Sequence, residues 1–107
     1  MHVLVVMGTR PEAIKMAPVI QELKRRGGGF RVSVCLTAQH RDLLDQAIAA
    51  FDIEVQYDLD LMQHDQNPSD VAQAVLGGMR GLLTAARPDV VLVQGDTTTA
   101  FAVALAA

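Results

Sequence analysis

The chain has a single cysteine, no excess of basic charge and no apolar stretch of membrane-spanning length. One thiol, Cys35, excludes an intrachain disulfide and fits a reducing compartment. A net charge of −3, with acids and bases interspersed, disfavours a general nucleic-acid binder, whose surface must neutralise phosphates. No segment approaches the roughly 20 apolar residues of a membrane helix. The opening Met1-His2-Val3-Leu4-Val5-Val6-Met7 lacks the basic start of a signal peptide. A cytoplasmic protein without membrane contact is expected. The dinucleotide fingerprint G-x-G-x-x-G is absent: Gly8 is followed by Thr9-Arg10-Pro11, and Gly27-Gly28-Gly29 closes a helix instead of opening one. His2, His40, His64 and Cys35 have no metal-ligand spacing, and Asp58, Asp60 and Asp65 do not form a calcium loop. Neither internal repeat nor low-complexity tract interrupts the 107 residues, which allow one small domain. Half of them are hydrophobic, enough for a core, although a chain this size buries only roughly 60–70% of its unfolded surface.

What is present is an alternation of strand and helix patterns. Val3–Met7 is apolar on both faces, as a buried parallel strand requires. From Pro11 to about Arg26, Ile14, Ala17, Val19, Ile20 and Leu23 recur at helical spacing, and the glycine triplet supplies a C-cap. Phe30–Leu36 reads as a second strand, and Leu43, Leu44, Ala47, Ile48 and Phe51 mark a second helix. Gln56–Leu61 is a short extended stretch, and Met62–Ser69 a loop. Ser69 is the expected N-cap of a helix reaching about Ala86, with Gly77, Gly78 and Gly81 either weakening it or allowing close packing. Val90–Val93 forms a third clear strand, and a last helix opens near Thr97. That helix is still apolar at Val103, Leu105 and Ala106 where the sequence stops, so truncation is expected. Alternating elements imply an α/β fold, a Rossmann-like, mostly parallel sheet flanked by helices.

Three constellations could carry chemistry. Gly8, Thr9, Arg10 and Lys15 stand where a buried strand meets a helix N-terminus. Such termini attract anions, and a guanidinium grips phosphate with paired donors. The residues alone leave two readings open, a phosphate site or an ordinary loop with two solvated cations. Glu12, in the first helical turn, is expected mainly to favour the helix dipole. Asp96 follows a strand at the sheet's C-terminal edge. It could accept sugar hydroxyls, take part in proton transfer, or cap the last helix, with Thr97 as the other possible cap. Gln39-His40-Arg41 follows the second strand, where His40 is either an acid–base group or a polar residue at a helix start.

Gly8-Thr9-Arg10-Pro11-Glu12-Ala13-Ile14-Lys15-Met16-Ala17-Pro18 resembles the opening of the non-hydrolysing UDP-N-acetylglucosamine 2-epimerases. Thr37-Ala38-Gln39-His40-Arg41 and Gln94-Gly95-Asp96-Thr97-Thr98-Thr99 agree in order and spacing. The resemblance implies a glycosyltransferase-B-like enzyme of two domains, with residues 1–107 an incomplete N-terminal Rossmann-like domain and the C-terminal domain absent. It implies interconversion of UDP-N-acetylglucosamine and UDP-N-acetylmannosamine by elimination and re-addition of UDP, with no external cofactor, in a homodimer. Arg10 and Lys15, with Gly8 and Thr9, would bind the nucleotide sugar, and Asp96 would join the catalytic carboxylates. Gln39 and His40 match an activator site found in some bacterial members, whereas Asp42 and Asp65 depart from it. A fragment of this length is expected to be inactive alone. A hydrolysing relative, or a non-catalytic remnant that binds nucleotide sugars or another subunit, is the alternative.

Overall fold

The computed structural model describes residues 1–37, 41–61, 66–95 and 97–107. Strands and helices alternate: β1 (His2–Met7), α1 (Arg10–Arg26), β2 (Arg31–Leu36), α2 (Arg41–Ala50), β3 (Tyr57–Asp58), α3 (Pro68–Ala86), β4 (Val90–Leu92) and α4 (Thr98–Ala106). The four strands form one parallel sheet in the order β3-β2-β1-β4. β1 pairs with β2 from His2 opposite Arg31 to Met7 opposite Leu36, and with β4 from Val3 opposite Val90 to Val5 opposite Leu92.

The apolar run of β1 is explained by burial on both faces. Val3, Val5 and Met7 enter one core with Ala13, Met16, Ala17 and Ile20 of α1 and Leu44 and Ala47 of α2. Leu4 and Val6 enter the other, with Val75, Met79 and Leu82 of α3 and Ala102 and Val103 of α4. The strand's period of two thus divides its side chains between two helical layers. This is the Rossmann-like α/β arrangement expected from the alternating patterns. Among the described residues, no helix is long and apolar enough to cross a membrane.

Several local expectations shift. α1 opens at Arg10, with Thr9 as its N-cap and Pro11 in its first turn. Its buried stripe is Ala13, Met16, Ala17 and Ile20, while Ile14 and Val19 are each 40% exposed because they flank that stripe. Pro18 withdraws the N–H that the Ile14 carbonyl would otherwise accept, on a side of the helix open to solvent. Gly27, at φ 61°, closes the helix in a conformation that costs glycine little. In α2, Leu44 and Ala47 are buried but Leu43 is exposed, as is Phe51 just after the helix. β3 is only two residues long, although the extended chain continues beside β2 through Leu59 N–H to Leu36 O and Leu61 N–H to Thr37 O.

The N-cap of α3 is Asn67, not Ser69. Asn67 Oδ1 accepts the Asp70 N–H at 2.9 Å, and Asp70 Oδ2 accepts the Asn67 N–H at 3.2 Å. Pro68 is therefore the first helical residue, where its missing N–H costs nothing. The helix starts earlier than expected because the proline that suggested a loop is its opening residue. Of the three α3 glycines only Gly78 serves close packing: a Cβ there would lie 3.1 Å from Leu59 Cδ1, while Gly77 and Gly81 face open space.

Candidate functional site

All strands are parallel, so their C-terminal ends share one edge. After β1 the chain crosses to β2, whereas β4 lies on the other side of β1, and the loops leaving β1 and β4 diverge from adjacent strands. Ligands of open α/β sheets bind in the crevice made at such a reversal. Here that crevice is a cleft of about 330 Å³ lined by Thr9, Pro11, Glu12 and Lys15 from the first loop and helix, and by Gln94, Gly95 and Thr97 from the second.

The two walls are joined by one side chain. Glu12 is buried, and its Oε1 accepts the Gly8 N–H at 2.9 Å and the Thr9 hydroxyl at 3.1 Å. Its Oε2 accepts the Thr97 hydroxyl at 3.1 Å, a contact between residues 85 positions apart. Thr97 in turn accepts the Ala100 N–H at 3.1 Å and so caps α4. Three donors on one carboxylate offset the cost of removing it from water. The expectation that Glu12 chiefly serves the helix dipole captured the smaller part of its role. Sequence reasoning missed the bridge, although Thr9-x-x-Glu12 has the spacing of a capping box. In this structure Glu12 reaches past the cap to the Gly8 N–H, and the Thr9 side chain makes no cap bond.

The first constellation is brought together in part. Thr9 and Lys15 line the cleft, and the Gly8 N–H is held by Glu12, which also lines it. Arg10, the first residue of α1, is exposed and is not among the lining residues. Among the described residues neither Arg10 nor Lys15 forms a salt bridge, in contrast to Arg25 and Arg26, which pair with Glu22. Both cations are therefore available to an anionic ligand at the N-terminus of a 17-residue helix. Asp96, Gln39 and His40 lie outside the described residues. The N-cap of α4 is Thr97, the other cap expected from the sequence.

A second, much smaller cavity of about 10 Å³ is lined by Thr37, Leu61, Gln66, Val71, Ala74, Val75 and Thr99. It has room for no more than about one water. Cys35 is buried in the α3–α4 core, and burial, aided by the Asp58 carboxylate, pushes its thiol up to about 12. That excludes it as a nucleophile at neutral pH.

A parallel sheet with a cleft at the reversal of its strand order defines a Rossmann-like α/β domain. A family model described as UDP-N-acetylglucosamine 2-epimerase matches residues 21–107, and the chain belongs to that family. The UDP-N-acetylglucosamine 2-epimerase of Escherichia coli strain K12 is 50% identical over 107 residues, all of this chain and 28% of the relative. The enzyme from Neisseria meningitidis, solved bound to UDP-N-acetylglucosamine, superposes with a TM-score of 0.90 at 48% identity, over 99% of this chain and 29% of that one. The Methanocaldococcus jannaschii enzyme, solved with UDP-N-acetylglucosamine and UDP, gives the same TM-score at 28% identity and the same coverage. The relatives' alignments thus include the Gly8–Lys15 segment that precedes the family-model match. The chain spans less than a third of the length of these relatives.

Proposed function

We propose that this chain is the N-terminal part of a UDP-N-acetylglucosamine 2-epimerase and forms one wall of its nucleotide-sugar site. The single observation carrying this reading is the cleft between the β1–α1 and β4–α4 loops, with Thr9 and Lys15 among its lining residues. Close relatives in sequence and shape bind UDP-N-acetylglucosamine, which makes that nucleotide sugar the expected ligand. Lys15 and Arg10 offset the negative charge of the diphosphate, and Gly8 and Thr9 complete the phosphate-facing turn. Asp96, which directly precedes Thr97, is the catalytic carboxylate contributed by this segment; Gln39 and His40 match the activator site of some bacterial members, from which Asp42 and Asp65 depart.

In the reaction, a base takes the C2 proton while the C1–oxygen bond breaks and UDP departs, leaving a 2-acetamidoglucal. UDP then returns to C1 as a proton is delivered to the opposite face of C2. Charge develops on the leaving diphosphate, so cations beside it act where the transition state needs them. Residues 1–107 form an incomplete domain in this reading, and a second domain supplies the rest of the cleft. The whole enzyme is a cytoplasmic homodimer.

The test is incubation of the whole protein, and separately of residues 1–107, with UDP-N-acetylglucosamine, followed by product analysis. UDP-N-acetylmannosamine from the whole protein and no turnover by the fragment are expected. Free N-acetylmannosamine with UDP would instead identify a hydrolysing enzyme.

A further inference from the structure

We infer that Glu12 is a positioning residue that holds the two walls of the nucleotide-sugar cleft in register; this rests on the epimerase reading above. Gly8 and Thr9 are attached to β1 and α1, whereas Thr97 begins α4 after β4. These loops belong to different strand–helix units, and the Glu12 carboxylate ties them through Thr97 Oγ1 on one oxygen and Gly8 N and Thr9 Oγ1 on the other. The two residues flanking this tie are the ones assigned chemistry: Arg10 follows Thr9, and Asp96 precedes Thr97.

A carboxylate suits this place because it is acceptor-only and offers about four lone-pair sites, so three donors can converge on it at once. The Thr97 hydroxyl is also oriented: it accepts from the Ala100 N–H and has its proton left to give to Glu12. Glu12 therefore fixes the start of α4 as well as that of α1. A tie of this kind raises turnover by keeping reacting groups aligned, since a displacement of about 1 Å away from the chemistry can slow an enzyme roughly 100-fold.

The experiment compares Glu12→Ala, Glu12→Gln, Thr97→Val and Thr97→Ser in the whole protein, each shown to be folded by circular dichroism, with kcat and KM measured for UDP-N-acetylglucosamine. Glu12→Ala is expected to lower kcat about 10- to 100-fold with a smaller change in KM. Glu12→Gln keeps an acceptor for Gly8 and Thr9 and reverses the Thr97 contact, its amide N–H donating to the second lone pair of the Thr97 hydroxyl, and is expected to restore most of that loss. Should Glu12→Ala not fold, Thr97→Val cuts the link between the walls and is expected to lower kcat similarly, with Thr97→Ser restoring it. A kcat within threefold of wild type in folded Glu12→Ala, or in Thr97→Val, overturns the inference. So does a Glu12→Gln enzyme as slow as Glu12→Ala, because the charge and not the geometry would then matter. A wild-type protein that turns over no UDP-sugar instead overturns the epimerase reading, and this inference with it.

Discussion

The Thr37 hydroxyl occupies the space that a side chain on Gly8 would need: a Cβ there would stand 2.5 Å from Thr37 Oγ1. It would also lie 3.1 Å from Thr99 Cγ2 and 3.2 Å from Thr99 Oγ1. Gly8 is not among the positive-φ residues, so crowding at the end of β1 selects glycine here, not backbone conformation. Gly8→Ala is expected to destabilise the fold by about 1–3 kcal/mol in urea unfolding. Adding Thr37→Ala removes the nearest clashing atom, a buried hydroxyl with no partner among the described residues, and is expected to recover part of that loss. Equal stability of Gly8→Ala and wild type would show that the loop absorbs the methyl group without strain.

Arg10 and Lys15 are exposed cations, so replacing either with alanine leaves the core untouched. Each substitution is expected to weaken UDP binding at least about tenfold, the scale of one charge-assisted contact, with little change in Tm. Isothermal titration at two salt concentrations checks this, because exposed charge contacts are screened by salt. Unchanged affinity for Arg10→Ala would remove that residue from the site.

The Asn67–Asp70 capping box satisfies two backbone donors at the start of α3. Asn67→Ala is expected to cost about 1 kcal/mol in chemical denaturation. A loss below about 0.3 kcal/mol would mean that Pro68 and tertiary packing set the start of the helix.

Cys35 gives a pH prediction with a definite sign. Burial first, and then the Asp58 carboxylate, raise its thiol from 9.0 to about 12 in the folded protein. Between those values the unfolded chain gives up the thiol proton while the folded chain keeps it. The stabilising contribution is complete below pH 9 and is lost as pH rises towards 12. Relative to Cys35→Ala, the wild type is expected to lose stability more steeply across that window. Ellman's reagent is expected to react with Cys35 at the rate of unfolding. Rapid labelling of the native protein would contradict the burial.

The layered fold was legible because β1 carries it openly: an uninterrupted apolar strand followed by a helical stripe has few structural solutions. The turn from β1 into α1 was legible for the same reason, since Gly8 and Pro11 punctuate the strand and helix. The role of Glu12 was harder to read. Its partner Thr97 is remote in sequence, and only the pairing of β1 with β4 brings them together. The opening of α3 was misplaced because Pro68 marks loops and first helical turns alike, and the reciprocal bonds of Asn67 and Asp70 decide between them. Ile14 and Val19 show a further limit: helical spacing identifies an apolar sector, but the width of the buried part depends on what packs against it.

The central place of β1 also sets an order of events during synthesis. The His2 N–H donates to Asp89 Oδ2 at 2.6 Å and the His2 carbonyl accepts the Asp89 N–H at 2.8 Å, across 87 positions. Of the four described strands, β1 is made before the others yet gains its second neighbour only with β4, and Leu4 and Val6 await α3 and α4 before one face is covered. A nascent chain stalled before Asp89 would carry an apolar strand with an open edge, the kind of intermediate that chaperones shield. The price of placing the β1–α1 loop inside the sheet is a slow, non-local closure that depends on nearly all of the described segment having left the ribosome.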